Sequence, residues 1–267
     1  MATQFSLAHL AVLDCPPVAM IHIAQRTGYD FVSLRLTAVT PTEPVYALQN
    51  DPAQRREVKA LLNDSTVQVL DVELARMPPE LEPETYAAVL DTAAELGARH
   101  VLTQLPDLDR ERATERFARL CDMARPLGLT IDLESPTWTA TPDLHAAAQV
   151  LWAVDRPNAG IVVDTLHFDR SHDSVDMLRA LPRGWFHYAQ VCDAPAQIPE
   201  TTEGLIFAAR SERFPPGEGD IDIRRILAAL PAIPYSLEIP NDTLSAQLGP
   251  EGWARRCIES ARRYLKR

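Results

Sequence analysis

Eight short runs of aliphatic and β-branched residues recur along the chain, and segments of helical periodicity separate them at a repeat of roughly 25–50 residues. The runs are FSLAHLAV (from Phe5), FVSLRL (Phe31), VQVLDVEL (Val67), HVLTQL (His100), LTIDLES (Leu129), AGIVVDTLHF (Ala159), WFHYAQVCD (Trp185) and YSLEIP (Tyr235). A run that stays apolar without alternation is the pattern of a strand covered on both faces, as parallel sheets require. Between them, PETYAAVLDTAAELG and RERATERFARLCDMARPLG carry apolar residues three and four apart and close on a glycine suited to a helix C-cap. IDIRRILAALP has the same spacing, and the last segment begins at Pro250 and ends in basic residues that complement a helix dipole. Repeated strand–helix units with no Ser/Gly-rich linker predict a single (β/α)8 TIM barrel over residues 1–267. A doubly wound open sheet usually has a Gly-rich turn after its first strand, and LAVLDCPP has none. The longest connection, between residues 194 and 220, is expected to overhang the barrel mouth.

Composition narrows the partners. With 46% hydrophobic residues among 267, the chain can bury a large core, and its formal charge of −11 repels phosphate backbones and anionic lipid. Neither a nucleic-acid nor a membrane partner is therefore expected. The N-terminus lacks the basic and apolar regions of a signal peptide, and no run approaches the length of a membrane span. Cys15, Cys121, Cys192 and Cys257 are scattered, which fits a reducing, cytoplasmic setting.

In a barrel of this kind, the C-terminal ends of the strands face the active site. Four consecutive runs place an oxygen-bearing side chain there: Glu134, Asp164, Gln190 and Glu238. Three carboxylates crowded into a mouth repel one another and lose hydration, and a divalent cation is the usual means of holding them together. The oxygen-only set suits one Mg²⁺, Mn²⁺ or Co²⁺ ion, with Glu134, Asp164, Gln190 and Glu238 as ligands. His167 follows Asp164 by three residues, where it can hold a substrate oxygen or protonate a leaving hydroxyl. His9, Arg35, Glu73 and Arg76 lie at the ends of the first three strands, and Arg213 lies in the long connection with Arg210; these are the candidates for substrate binding, since arginines in a mouth suit anionic groups. His22, His100, His145 and His172 fall away from that rim and read as structural.

Glu134 in DLES, the D-x-x-H of VVDTLHF, Glu238 in SLEIP and the loop RFPPGEGDID together resemble the xylose isomerase-like TIM barrels. That group holds sugar phosphate isomerases and epimerases, ketose epimerases, inosose dehydratases and a branch of 3-dehydroshikimate dehydratases. The resemblance covers nearly the whole chain and implies the same four ligands. Ketose epimerases usually place a histidine where this chain has Gln190, and glutamine there looks more like the dehydratase branch; His187, three residues earlier, points to the opposite face of a strand. The expected chemistry is isomerisation or epimerisation of a small sugar or related polyhydroxy carbonyl compound, through loss of an α-proton and a metal-stabilised enediolate. Glu134 and Glu238 are the candidate bases, with His167 as the third catalytic group. Loss of a β-hydroxyl, as in a dehydratase, is the alternative outcome of the same proton step. Family resemblance also points to a homo-oligomer.

Overall fold

A computed structural model describes residues 3–266. Its strands are β1 Phe5–Ala8, β2 Phe31–Arg35, β3 Gln68–Arg76, β4 His100–Gln104, β5 Thr130–Leu133, β6 Ala159–Ile161, β7 Val163–Asp164, β8 Ala189–Val191 and β9 Tyr235–Leu237. All neighbours pair in parallel, in the order β6-β5-β4-β3-β2-β1-β9-β8-β7. The two ends of that order, β6 and β7, are separated only by Val162, so they are halves of one strand that pairs β5 with its first half and β8 with its second. This closes the sheet into the eight-stranded barrel that the alternation predicts.

The sequence run FSLAHLAV outlasts its strand: β1 stops at Ala8, and His9–Val12 forms a 3-10 helix. Helices end where expected, at Gly97 (φ 77°) and Gly128 (φ 72°), left-handed positions that suit glycine. The C-terminal helix Asp242–Leu265 breaks at Gly249, so that its second part does begin at Pro250. Trp253 on that part is fully buried and donates its indole N–H to Ile239 O (2.9 Å), fixing the helix beneath the end of β9. No helix among the described residues is long and apolar enough to cross a membrane.

Strand periodicity sorts each strand into an outward row packed on helices and an inward row filling the barrel. Contacts between non-neighbouring strands identify the inward row. Tyr188 donates to Asp71 across the lumen (3.4 Å), and Ser33 lies 3.2 Å from Ser236. Following each strand by twos gives Phe31, Ser33 and Arg35 on β2, and His100, Leu102 and Gln104 on β4. The same step gives Thr130, Asp132 and Glu134 from β5, and Gly160, Val162 and Asp164 from β6 and β7. The lumen is thus apolar only in part: Phe31, Leu70, Leu74, Leu102, Val162 and Tyr188 pack together, between polar groups at both ends.

Gly160 is required by this packing. A Cβ there would lie 2.1 Å from Asp132 Oδ1 and 2.6 Å from His187 Nδ1. Gly160→Ala is expected to cost about 1–3 kcal/mol through overpacking, read as a lower urea midpoint. An unchanged midpoint would show that the lumen yields freely at this level.

Candidate active site

Parallel register carries the mouth residues to one level. Asp164 pairs with Gln190, and Gln190 with Ser236, two residues before Glu238. Glu134 follows Leu133, the partner of Thr103, and so stands beside Gln104. All four of Glu134, Asp164, Gln190 and Glu238 are almost completely buried.

Asp164 Oδ1 accepts from Leu166 N (2.7 Å), capping the helix Thr165–Arg170. That helix presents His167. The His167 Nε2 atom is 3.8 Å from Glu134 Oε1, its ring packs edge-on against Trp138, and Nδ1 is buried without a partner. Glu134, Asp164 and His167 offer ligand atoms within 4.8 Å of one another. Gln104 Nε2 donates to Glu134 Oε2 (2.5 Å), and Gln190 Nε2 donates to Glu238 Oε1 (3.0 Å), which leaves the buried Gln190 Oε1 unpartnered.

Arg213 sits inside this group. It was expected on the rim among substrate contacts, but its guanidinium bonds Asp164 Oδ2 (2.6 Å) and Glu238 Oε2 (3.0 Å) and is 2% exposed. Local backbone pairing puts it there. Asp193 and Phe214 exchange backbone hydrogen bonds (2.7 and 2.8 Å), while Arg213 N donates to Pro240 O (2.9 Å). The segments after β8 and β9 therefore clamp the chain on both sides of Arg213. Asp193 also organises the PPGEGDI turn, accepting from Gly217 N (2.8 Å) and Ile221 N (3.0 Å). Within the long connection, Thr202–Ser211 is a helix that brings Ala209 and Arg210 over the mouth.

The cleft at the barrel mouth is lined by Glu134, His167, Glu238, Arg35, Arg210 and Trp138, among others. Arg35 is already engaged by Glu43 (3.1 Å) and Glu73 (3.0 Å), and Arg210 lies 3.8 Å from Glu43. Glu73 is buried behind Arg35, with Oε1 unpartnered. Two expected substrate contacts are placed elsewhere. His9 is fully buried, its Nε2 bonded to Cys15 O (2.9 Å) and its Nδ1 accepting from Arg35 N (3.0 Å). Arg76 lines a neighbouring groove with Thr37 and Tyr86. Gln104, Trp138 and Glu43 were not singled out in the sequence; of these only Gln104 had a legible signal, as the last polar residue of an apolar strand.

Burial dominates the electrostatics. It lifts Glu134 to about 7, helped by the neighbouring Asp164, and raises Glu238 well above the usual carboxylate range. Burial would lift Asp164 as well, but Arg213 and His167 outweigh it and hold that carboxyl low. Burial lowers His167 to about 4, so the ring is neutral at physiological pH.

Residues 21–264 match the family model of the xylose isomerase-like TIM barrel, and the chain belongs to that family. An inosose isomerase of Bacillus velezensis is 27% identical over 176 residues, 61% of this chain and 58% of that protein. The corresponding Bacillus subtilis protein is 26% identical over the same length. The matched stretch thus spans about 58% of these curated relatives. Three solved structures share the fold. An IolI protein with a bound zinc atom superposes with a TM-score of 0.79 at 18% identity, covering 97% of this chain and 96% of that one. A probable 3-DHS dehydratase, AsbF of Bacillus anthracis, gives 0.75 at 18%, covering 96% and 98%. A D-allulose 3-epimerase from Methylomonas sp. gives 0.72 at 18%, covering 98% of each chain.

Glu134 generates a pH prediction. Its folded value of about 7 lies above the ordinary 4.5, so between those values the folded state holds a proton that the unfolded chain has lost. Stability of the metal-stripped protein should therefore fall as pH rises from 5 to 8, with Glu134 contributing up to about 3 kcal/mol. Urea unfolding in chelator should show a shallower decline in Glu134→Gln; an identical slope would refute the assignment.

Proposed function

We propose that this chain is a divalent-metal-dependent isomerase or epimerase of a small sugar or related polyhydroxy carbonyl compound, working by proton abstraction next to a carbonyl. The observation that carries the reading is a surplus of buried oxygen donors. Asp164 and Glu238 share one guanidinium, Glu134 stands beside Asp164, and Gln190 Oε1 is buried with no hydrogen-bond partner. A single arginine offsets one carboxylate of three, and a buried amide oxygen without a donor is costly. One divalent ion held by these four residues answers both, and an all-oxygen set suits Mg²⁺, Mn²⁺ or Co²⁺. The ion would supply positive charge to the oxygen that becomes negative as the α-proton leaves.

The remaining roles fall to the chain itself. Glu134 and Glu238 approach from different strands, so each can hold or deliver a proton on its own side of a substrate carbon. Gln104 fixes one oxygen of Glu134 and leaves Oε1 facing His167. His167, neutral and braced by Trp138, can donate one ring N–H to a substrate oxygen. Arg210, on the helix over the mouth, closes the cleft from solvent and meets polar groups of the substrate. The isomerase and epimerase names of the relatives support this reading. Gln190 favours a second one: it cannot titrate, and in place of histidine it resembles the dehydratase branch, where one base and one acid suffice.

Elemental analysis should find about one tightly held divalent ion at the mouth, lost in Glu134→Ala or Asp164→Ala; a metal-free protein whose melting is unmoved by Mn²⁺ or Mg²⁺ would sink the reading. Incubated with ketoses in deuterated water, the loaded protein should place deuterium in the recovered sugar. Aromatic product from 3-dehydroshikimate, without exchange into any ketose, would instead establish the dehydratase. His167→Ala should lower turnover by about 100-fold or more while keeping the metal. Loss of the ion in that variant would make His167 a ligand.

A further inference from the structure

The opposite end of the barrel holds a second convergence of donors. His100 opens β4, Asp132 lies on β5 and His187 precedes β8, so three elements meet at the N-terminal end of the lumen. His187 Nδ1 is 2.6 Å from Asp132 Oδ1, and His100 Nδ1 is 3.7 Å from Asp132 Oδ2. The two imidazoles are stacked nearly parallel, with centroids 5.4 Å apart and planes 8° from each other. One ligand atom from each residue lies within 4.8 Å of the others. Atoms bound to one ion at roughly 2.0–2.2 Å stand about 3–4 Å apart, so small rotations of the two rings would complete the approach.

Thr130 settles how the protons are arranged. Its single hydroxyl proton goes to Asp132 Oδ2 (2.5 Å), so its oxygen must accept from the Nδ1–H of His100 (2.7 Å). His187 likewise directs Nδ1–H at Asp132. His187 thus points Nδ1–H at a fully buried carboxylate and His100 points its own at the Thr130 hydroxyl bonded to that carboxylate, so protons occupy the place that a cation would fill. Gly160 forms the back wall: it brings bare backbone to within contact of both Asp132 and His187. The His100 and His187 side chains are 12% and 20% exposed, so the front of the cluster opens to solvent for entry of an ion and a completing water.

We propose that His100, Asp132 and His187 form a second metal site, specific for a nitrogen-preferring ion such as Zn²⁺ or Co²⁺, that braces β4, β5 and β8 at the end of the barrel away from the mouth. Two imidazoles and one carboxylate with an open position differ in kind from the all-oxygen group above, and they discriminate against Mg²⁺. Removed from the mouth, the ion acts on stability.

The test is Zn²⁺ binding to the metal-stripped full chain, by equilibrium dialysis with elemental analysis, in wild type, His187→Gln, His100→Gln and Glu134→Gln. Wild type should bind two ions, Glu134→Gln should keep one, and each histidine variant should lose one or bind it at least tenfold more weakly. Zn²⁺ should also raise the melting temperature of Glu134→Gln, and Mg²⁺ should not. A Glu134→Gln protein that binds no Zn²⁺, or histidine variants that match wild type in stoichiometry and affinity, would overturn the proposal. If the mouth holds no metal, wild type and Glu134→Gln will bind the same single ion and the histidine variants none, so failure of either site is read separately.

Discussion

The contact on which the mouth depends is the guanidinium of Arg213 between Asp164 and Glu238. Carboxylates delivered by β7 and β9 to a nearly sealed space need a counter-charge, since each buried anion without one costs several kcal/mol. Arg213 supplies it in a rigid planar form, bonded to Asp164 at 2.6 Å and to Glu238 at 3.0 Å, with a further bond from Nε to Ala209 O (2.6 Å). The last of these ties the helix Thr202–Ser211 to the carboxylates. That helix carries Arg210 over the cleft, so the lid over the mouth and the charge balance within it share one residue.

Below the mouth, the lumen departs from the apolar layers typical of such barrels. Ser33 lies within hydrogen-bonding distance of both Ser6 and Ser236 and donates to Asp71, and Tyr188 reaches Asp71 from the other side. Burial pushes Asp71 well above the usual carboxylate range, against the hydrogen bonds from Ser33 and Tyr188. At the two ends, arginine or histidine stands beside the carboxylates. The small serine side chains let polar groups meet across the lumen, and the apolar cluster around Leu102 and Val162 fills the remaining width.

Much of this was legible in the sequence because strands repeat every two residues. Glu134, Asp164 and Glu238 each end or follow an unbroken apolar run, and a parallel barrel must then carry them to the same rim. What failed to show was anything fixed by long-range pairing. Arg213 lies 49 residues from Asp164, and its position follows from backbone bonds to Pro240 and between Asp193 and Phe214, which no local periodicity encodes. His9 was misplaced for a related reason: the apolar pattern of FSLAHLAV continues through a 3-10 turn, and periodicity alone carries the strand on to a residue that braces Arg35 and Cys15. His100 read as structural and His187 as pointing to the opposite face of its strand, but His187 precedes β8 and reaches Asp132, an inward residue at the far end of β5, away from the rim where function was sought.

Asp164 shows why a strand-end carboxylate carries more than one signal. Capping the next helix and delivering charge to a site look like alternatives in the run GIVVDTLHF, yet the two oxygens divide them. Oδ1 takes the N–H of Leu166 and starts the helix; Oδ2 takes Arg213. Each oxygen keeps a lone pair free for a cation. Because the cap fixes where the helix begins, it also fixes the third residue along it, and His167 arrives facing Glu134 with Trp138 at its back. The three-residue interval between Asp164 and His167 is therefore set by helix initiation: a shift of one residue would turn the imidazole by about 100° away from the cleft.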